Sequence, residues 1–149
     1  MLFLLLLEAL LELLDQLVQA AEALDLRLLL LGEAFALAQK LDLDAQKLFD
    51  VVSTSSGYSW SMNAYCPAPG VGPVSPADNG YRPGFAAELM LKDLRLSQQA
   101  ADSADADTPM GELATRLYTE FVEREDGKGR DFSAMLPRLA ARGRPAGTA

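Results

Sequence analysis

Histidine is absent from the 149 residues, and Cys66 is the one cysteine. Without histidine, Ser-His-Asp and Cys-His mechanisms are excluded, and so is any Cys/His zinc site. A lone cysteine also excludes a disulfide framework within the chain. Bases are scarce: 13 Lys and Arg against 21 Asp and Glu give a net charge of −8 and a pI near 4.5. That balance argues against a nucleic-acid binder, whose affinity comes largely from Lys and Arg on phosphates. Long apolar runs are missing too. Met1 to Leu7 is wholly apolar, but Glu8 ends the run, and no Lys or Arg precedes it to form a secretory n-region. A membrane span needs about 20 apolar residues, so none is expected, and the expectation is a cytoplasmic protein.

What is present divides into two vocabularies. Half the residues are hydrophobic, enough for a real core. Residues 1–31 hold 16 leucines and no Gly, Pro, Ser, Thr or Asn, whereas the composition from Gly32 onward is varied. The first part has the low-entropy Leu/Glu/Ala character of a designed or rewritten helix. Of its polar residues, Glu8, Glu12, Asp15, Gln19 and Glu22 are spaced 4, 3, 4 and 3 apart, one narrow stripe at heptad spacing. Each fully buried Leu is worth about 1.5–3 kcal/mol, so so much apolar surface demands cover. The sequence predicts a homodimer through this N-terminal helix. The acidic stripe does not suit a membrane-surface helix, whose polar face is usually basic. One helix running to about Leu41 and a hairpin turning at residues 24–26, beside Asp25-Leu26-Arg27, both fit the pattern.

The rest of the chain also reads as helices. Asp44 is an N-cap for a helix from Ala45 to about Ser53, which Gly57 ends by supplying a permissive backbone. Tyr58 to Tyr65 is a short helix, and Cys66 to Gly84 a Pro- and Gly-rich loop. A helix from Phe85 to about Asp102 carries Phe85, Leu89, Leu96 and Ala100 on its apolar face. Thr108-Pro109 starts a helix to about Glu125, with Thr as the cap. Gly127-Lys128-Gly129 breaks it, and Asp131 opens a last helix to about Ala141. No segment alternates as a strand does. The expected fold is all-α, with six to seven helices. Its expected organisation is a Leu-rich segment over 1–31, a helical domain over 32–141 and a disordered tail over 142–149. Five bases gather in residues 128–149 (Lys128, Arg130, Arg138, Arg142 and Arg144), most simply as a solvated terminus.

Several short motifs recur in one order: Gly32-Glu33-Ala34, Ser55-Ser56-Gly57-Tyr58-Ser59-Trp60, Tyr65-Cys66-Pro67-Ala68-Pro69-Gly70-Val71, Pro83-Gly84-Phe85, Met90-Leu91-Lys92-Asp93-Leu94, Thr108-Pro109-Met110-Gly111 and Asp131-Phe132-Ser133. With these, the chain from about Gly32 to Leu139 resembles the C-terminal helical domain of 3-hydroxyisobutyrate dehydrogenases, in the β-hydroxyacid dehydrogenase family. The resemblance implies an all-helical, dimer-building domain, joined by a long helix to a Rossmann domain that binds NAD or NADP. It implies a catalytic Lys, with an Asn four residues later, near the start of that linking helix. Counting back from Gly32 places these at or near Leu17 and Ala21. No Lys occurs before Lys40, no Asn before Asn63, and no G-x-G-x-x-G anywhere. The resemblance further implies that Trp60 and Tyr65 lie toward substrate, that Lys92 reaches the cofactor, and that Asp93 helps hold the site.

Each of these residues also has a plainer reading. Lys92-Asp93 is an ordinary charge pair on a helix. Trp60 and Tyr65 are packing residues with a polar tip. Ser55 and Ser56 are turn residues, and Cys66 is a small apolar filler. Asp102, Asp105 and Asp107 lack the glycine and closing Glu of a calcium loop. Three functions stand against one another: a non-catalytic structural module, a dehydrogenase fragment that keeps some cofactor or substrate contacts, and a partner- or membrane-binding helix. The sequence favours the first, with no cofactor bound.

Overall fold

The structure is a computed structural model that describes Leu7, Glu8 and residues 26–142. Leu7 and Glu8 are helical; residues 1–6 and 9–25, with Leu17 and Ala21, and the tail beyond Arg142, with Arg144, lie outside the described residues. The fold is all-α. Six α-helices follow in order within residues 26–142: α1 Arg27–Lys40, α2 Ala45–Val52, α3 Trp60–Asn63, α4 Ala87–Ser103, α5 Pro109–Arg124 and α6 Met135–Arg142. Two 3₁₀ turns, Pro76–Asn79 and Phe132–Ala134, complete it. Among the described residues there is no sheet, only an antiparallel bridge between Ala86 and Asp131.

α1 is the spine. It begins at Arg27 with Leu26 as its N-cap. Its buried face, Leu28, Gly32, Phe35 and Ala36, follows the three-and-four spacing of one helix side. Leu28 enters one core with Leu91, Leu94, Tyr118, Phe121 and Phe132, while Phe35 enters a second with Met62, Cys66, Val71 and Leu136. α6 lies along α1, and Gly32 makes room for Leu139 between them. α4 and α5 pack as an antiparallel pair on the first core.

Helix ends explain most boundaries. α1 and α4 terminate alike, on Leu41-Asp42-Leu43 and Ala104-Asp105-Ala106. Asp42 and Asp105 take left-handed φ of 54° and 51°, and the N–H groups of Leu43 and Ala106 donate back to Ala38 and Ala101 at 2.9 Å. Asp tolerates that backbone because its short side chain bonds locally. Asp44 caps α2 as expected, accepting from the Lys47 N–H at 2.8 Å.

Four expectations need correction. Gly57 is not left-handed; it is needed for space, since a Cβ there would lie 2.5 Å from Val52 Cγ1. α4 starts at Ala87 rather than Phe85, because the preceding backbone pairs with residues 130–132: Ala87 N–H donates to the Arg130 carbonyl and Phe132 N–H to that of Phe85, each at 2.9 Å. Its buried face is Ala87, Met90, Leu91, Leu94, Ser97 and Ala101, with Leu89 turned outward at 46% exposure. Thr108 makes no side-chain cap; its hydroxyl donates to Gln98 Oε1 at 3.3 Å.

The basic terminus is not simply solvated. Arg138 is buried and donates to Glu125 Oε2 at 2.7 Å and to Glu120 Oε2 at 3.0 Å. Arg142 pairs with the same two glutamates, and Arg130 with Asp126. Glu120 near the end of α5 and Glu125 just after it supply the acids through which Arg138 and Arg142 fasten α6 to α5, while the Arg130–Asp126 pair stays within the intervening loop. α6 reaches Arg142.

Candidate functional site

The four residues singled out from the sequence fall into two pairs. Trp60 opens α3, which Ser59 caps by accepting from the Met62 N–H at 3.1 Å. Tyr65 follows two residues beyond its end. Their rings stack with centroids 4.9 Å apart and planes 24° apart. Trp60 is 58% exposed, so its outer face meets solvent while its inner face lies on Tyr65. Behind Tyr65 come Phe132, at 5.3 Å, and Phe85, edge-on to Phe132 at 5.6 Å. Such tilted and edge-to-face pairs suit the ring quadrupoles.

Lys92 and Asp93 sit on α4, with Lys92 Nζ 2.9 Å from Asp93 Oδ1. Lys92 is 57% exposed and lines a shallow groove of about 360 Å³ with Glu88, Arg95, Gln99, Val122 and Glu123. Arg95 there is engaged with Glu123 at 2.6 Å. Among the described residues, no hydrogen bond, ion pair or ring contact joins Lys92 or Asp93 to Trp60 or Tyr65.

The residue that organises the aromatic face was not singled out. Asp131 is fully buried, and both carboxylate oxygens act as acceptors. Oδ2 accepts from the Tyr65 hydroxyl at 2.7 Å, Gly84 N–H at 2.9 Å and Phe85 N–H at 3.0 Å. Oδ1 accepts from the Ser133 N–H at 3.0 Å and its hydroxyl at 2.6 Å. One side chain thus ties together the Tyr65 turn, the entry to α4 and the entry to α6. Gly84 is obligatory in this arrangement: a Cβ there would sit 2.8 Å from the Tyr65 hydroxyl oxygen. The legible signal was Asp131-Phe132-Ser133, an Asp two residues before a Ser, which is how an Asx cap reads. The long-range donors left no such mark.

Burial raises the Tyr65 phenol well above its ordinary pKa, helped by its hydrogen bond to Asp131 and that group's charge. Burial also pushes the Cys66 thiol up, which keeps it protonated inside the second core. Ser55 serves its turn, donating to the Val52 carbonyl at 3.1 Å. Among the described residues, no three His, Cys, Asp or Glu side chains are grouped to hold a metal ion. No described helix is long and apolar enough to cross a membrane.

Comparison with known proteins gives this geometry a setting. Residues 11–139 match the family described as NAD-binding of NADP-dependent 3-hydroxyisobutyrate dehydrogenase. That match begins inside the Leu-rich segment. A probable 3-hydroxyisobutyrate dehydrogenase of Mycobacterium tuberculosis is 44% identical over 112 residues, covering 75% of this chain and 37% of the relative. An NAD-dependent L-serine dehydrogenase of Pseudomonas aeruginosa is 41% identical over 112 residues, covering 74% of this chain and 37% of that enzyme. The solved structure of the Mycobacterium tuberculosis 3-hydroxyisobutyrate dehydrogenase with L-serine superposes with a TM-score of 0.76 at 38% identity, over 87% of this chain and 42% of that one. The chain spans little more than a third of the length of the curated relatives it matches. By fold, motif order and sequence identity, it belongs to the NAD-binding family of NADP-dependent 3-hydroxyisobutyrate dehydrogenase.

Proposed function

We propose that these 149 residues form a non-catalytic helical module of the 3-hydroxyisobutyrate dehydrogenase type, which self-associates through its N-terminal helix. The observation that carries this reading is the absence of any Lys before Lys40 and any Asn before Asn63. Hydride transfer from a hydroxy acid needs a positioned cofactor and a group that takes the hydroxyl proton. The resemblance assigns that group to a Lys-Asn pair on the linking helix, at or near the positions where this sequence has Leu17 and Ala21. Tyr65 does not replace it, because its hydroxyl already donates to Asp131. Lys92 alone, without a glycine-rich turn, offers little grip on a pyrophosphate. The module needs no cofactor to fold, and its place is the cytoplasm.

The pure chain, given 3-hydroxyisobutyrate or L-serine with NAD or NADP, is expected to form no reduced nicotinamide. Steady formation of reduced nicotinamide overturns the reading. Light scattering is expected to give about twice the 16.0 kDa chain mass. A monomer removes the self-association.

One observation favours a second reading, a fragment that keeps ligand contacts. Trp60 is exposed yet held flat on Tyr65, as a surface for a ligand to pack against. L-serine, which the names of two relatives mention, is the first ligand to try. As the chain's single tryptophan, Trp60 reports on it directly.

A further inference from the structure

We infer that Asp131 is a positioning residue for the Trp60–Tyr65 face. It commits the Tyr65 hydroxyl to the protein, so that this face offers a substrate aromatic surface and no proton. The inference rests on the reading that Trp60 and Tyr65 lie on the substrate side.

Direction and burial carry it. Taken alone, a tyrosine beside a candidate substrate surface is an obvious acid or base. Here the hydroxyl points inward, 2.7 Å from Asp131 Oδ2, and that oxygen also accepts two backbone N–H groups. A carboxylate with no exposed surface cannot swing to follow the phenol, because Ser133 holds its other oxygen through two further bonds. The Tyr65 proton is therefore pinned, and the ring with it. Phe132 braces the ring at 5.3 Å, leaving Trp60 to stack on it. Burial and the Asp131 charge both disfavour a phenolate, so Tyr65 is no base at neutral pH either.

The consequence is a division of labour. A fixed indole over a fixed phenol ring presents π surface, which suits the C–H groups of a short hydroxy acid. Asp131 offers a carboxylate no donor, and both of its oxygens are already taken up by the protein. The carboxylate of such a ligand must then be gripped elsewhere, and its hydroxyl meets no proton acceptor in Tyr65.

Near-UV circular dichroism and Trp60 emission test this, since the chain has one tryptophan. Tyr65→Phe keeps the ring and removes the pinned hydroxyl. It is expected to retain the helical far-UV spectrum while losing the Trp60 near-UV band and shifting Trp60 emission to the red. Asp131→Asn is expected to do the same. Ser133→Ala, which removes one bond from the other oxygen and keeps the backbone N–H that still holds it, is expected to lower the melting temperature and leave both Trp60 signals unchanged. A purely structural role for Asp131 would make Ser133→Ala and Tyr65→Phe indistinguishable in these signals, and that overturns the inference. A folded Tyr65→Phe with an unchanged Trp60 band overturns it too, whether or not Asp131→Asn folds. Titration of the unaltered chain with L-serine separates the two layers. A Trp60 signal that L-serine leaves untouched strikes the substrate-side reading, while the variants still decide whether Asp131 fixes the face.

Discussion

Two aspartates stitch the proline- and glycine-rich stretch between Tyr65 and Phe85, and they do it under opposite conditions. Asp78 is exposed and takes its donors locally: Gly70 N–H at 2.6 Å and Ser75 N–H at 2.8 Å, the second as half of a capping box on the Pro76–Asn79 turn. Asp131 is sealed from solvent and takes three of its five donors from residues far away in sequence. The chemistry is the same, an Asp carboxylate receiving N–H and O–H groups. What differs is what replaces it on removal. Around Asp78 water can enter and satisfy the freed amides; around Asp131 most of the freed groups have nowhere to turn. Burial therefore converts a local clip into the joint that sets how α3, α4 and α6 meet at the aromatic face.

The largest expected effect breaks the buried member. Asp131→Ala strands several donors at once, and each buried unsatisfied group costs about 1–3 kcal/mol, so the loss should exceed about 3 kcal/mol. Urea unfolding at neutral pH measures it. A loss below that of Asp78→Ala would mean water reaches the site and the contrast fails. Asp78→Ala removes half of a capping box and a loop tie at an exposed site, with an expected loss of about 1 kcal/mol.

The exposed member is better separated by pH. Backbone N–H groups of Ser75 and Gly70 hold the Asp78 carboxyl below its ordinary value of 3.8. A group depressed on folding stabilises the protein fully above its unfolded value and loses that contribution as pH falls through the folded one. Stability of the unaltered chain should therefore decline on acidification below about pH 4, where unfolded Asp begins to hold its proton. Glu125, lowered chiefly by its hydrogen bond from Arg138, adds to the same decline. Asp78→Ala should flatten the slope in proportion to its share. Parallel acid titrations of unfolding, with and without the substitution, check this; identical slopes would remove Asp78 from the acid response.

The same contrast explains what was legible in the sequence. Asp44 and the Gly127–Gly129 break act within a few residues, and each was readable from spacing and cap chemistry; the Ser59 cap, which starts its helix at Trp60 rather than Tyr58, was not singled out. The all-α class was readable too, since no segment alternates. The misplaced start of α4 and its rotated face had one cause. Phe85 and Ala86 have helical neighbours and fair helix character, but the segment around Asp131 claims their backbone groups. Leu89 and Leu96 satisfy the same helical spacing as Met90, Leu91 and Leu94, and only the position of α5 decides between the two faces. The buried arginine cluster was hidden likewise: a base near the end of a chain carries no sign that Glu120 and Glu125 will close over it. Of the candidate site, the rings of Trp60 and Tyr65 could be named from motif order. Their anchor could not, because 66 positions separate Tyr65 from Asp131.

The smallest effect is expected at the other pair, and it is informative for that reason. Lys92 and Asp93 make an ion pair whose lysine is mostly in water, and exposed pairs of this kind contribute about 0–1 kcal/mol. Lys92→Ala should leave the urea midpoint within experimental scatter, in contrast to the Asp131 substitution. If Lys92 has a use, it is not in holding the fold. Titration with NADP is expected to give no heat and no change in Trp60 emission; either signal overturns the expectation that no cofactor binds, and calorimetry with Trp60 emission then reads the two pairs separately. Heat that vanishes in Lys92→Ala without a change in Trp60 would assign the anion to α4 alone. A Trp60 response that also vanishes would mean that the two pairs, unconnected by any bond in the free chain, meet through the ligand.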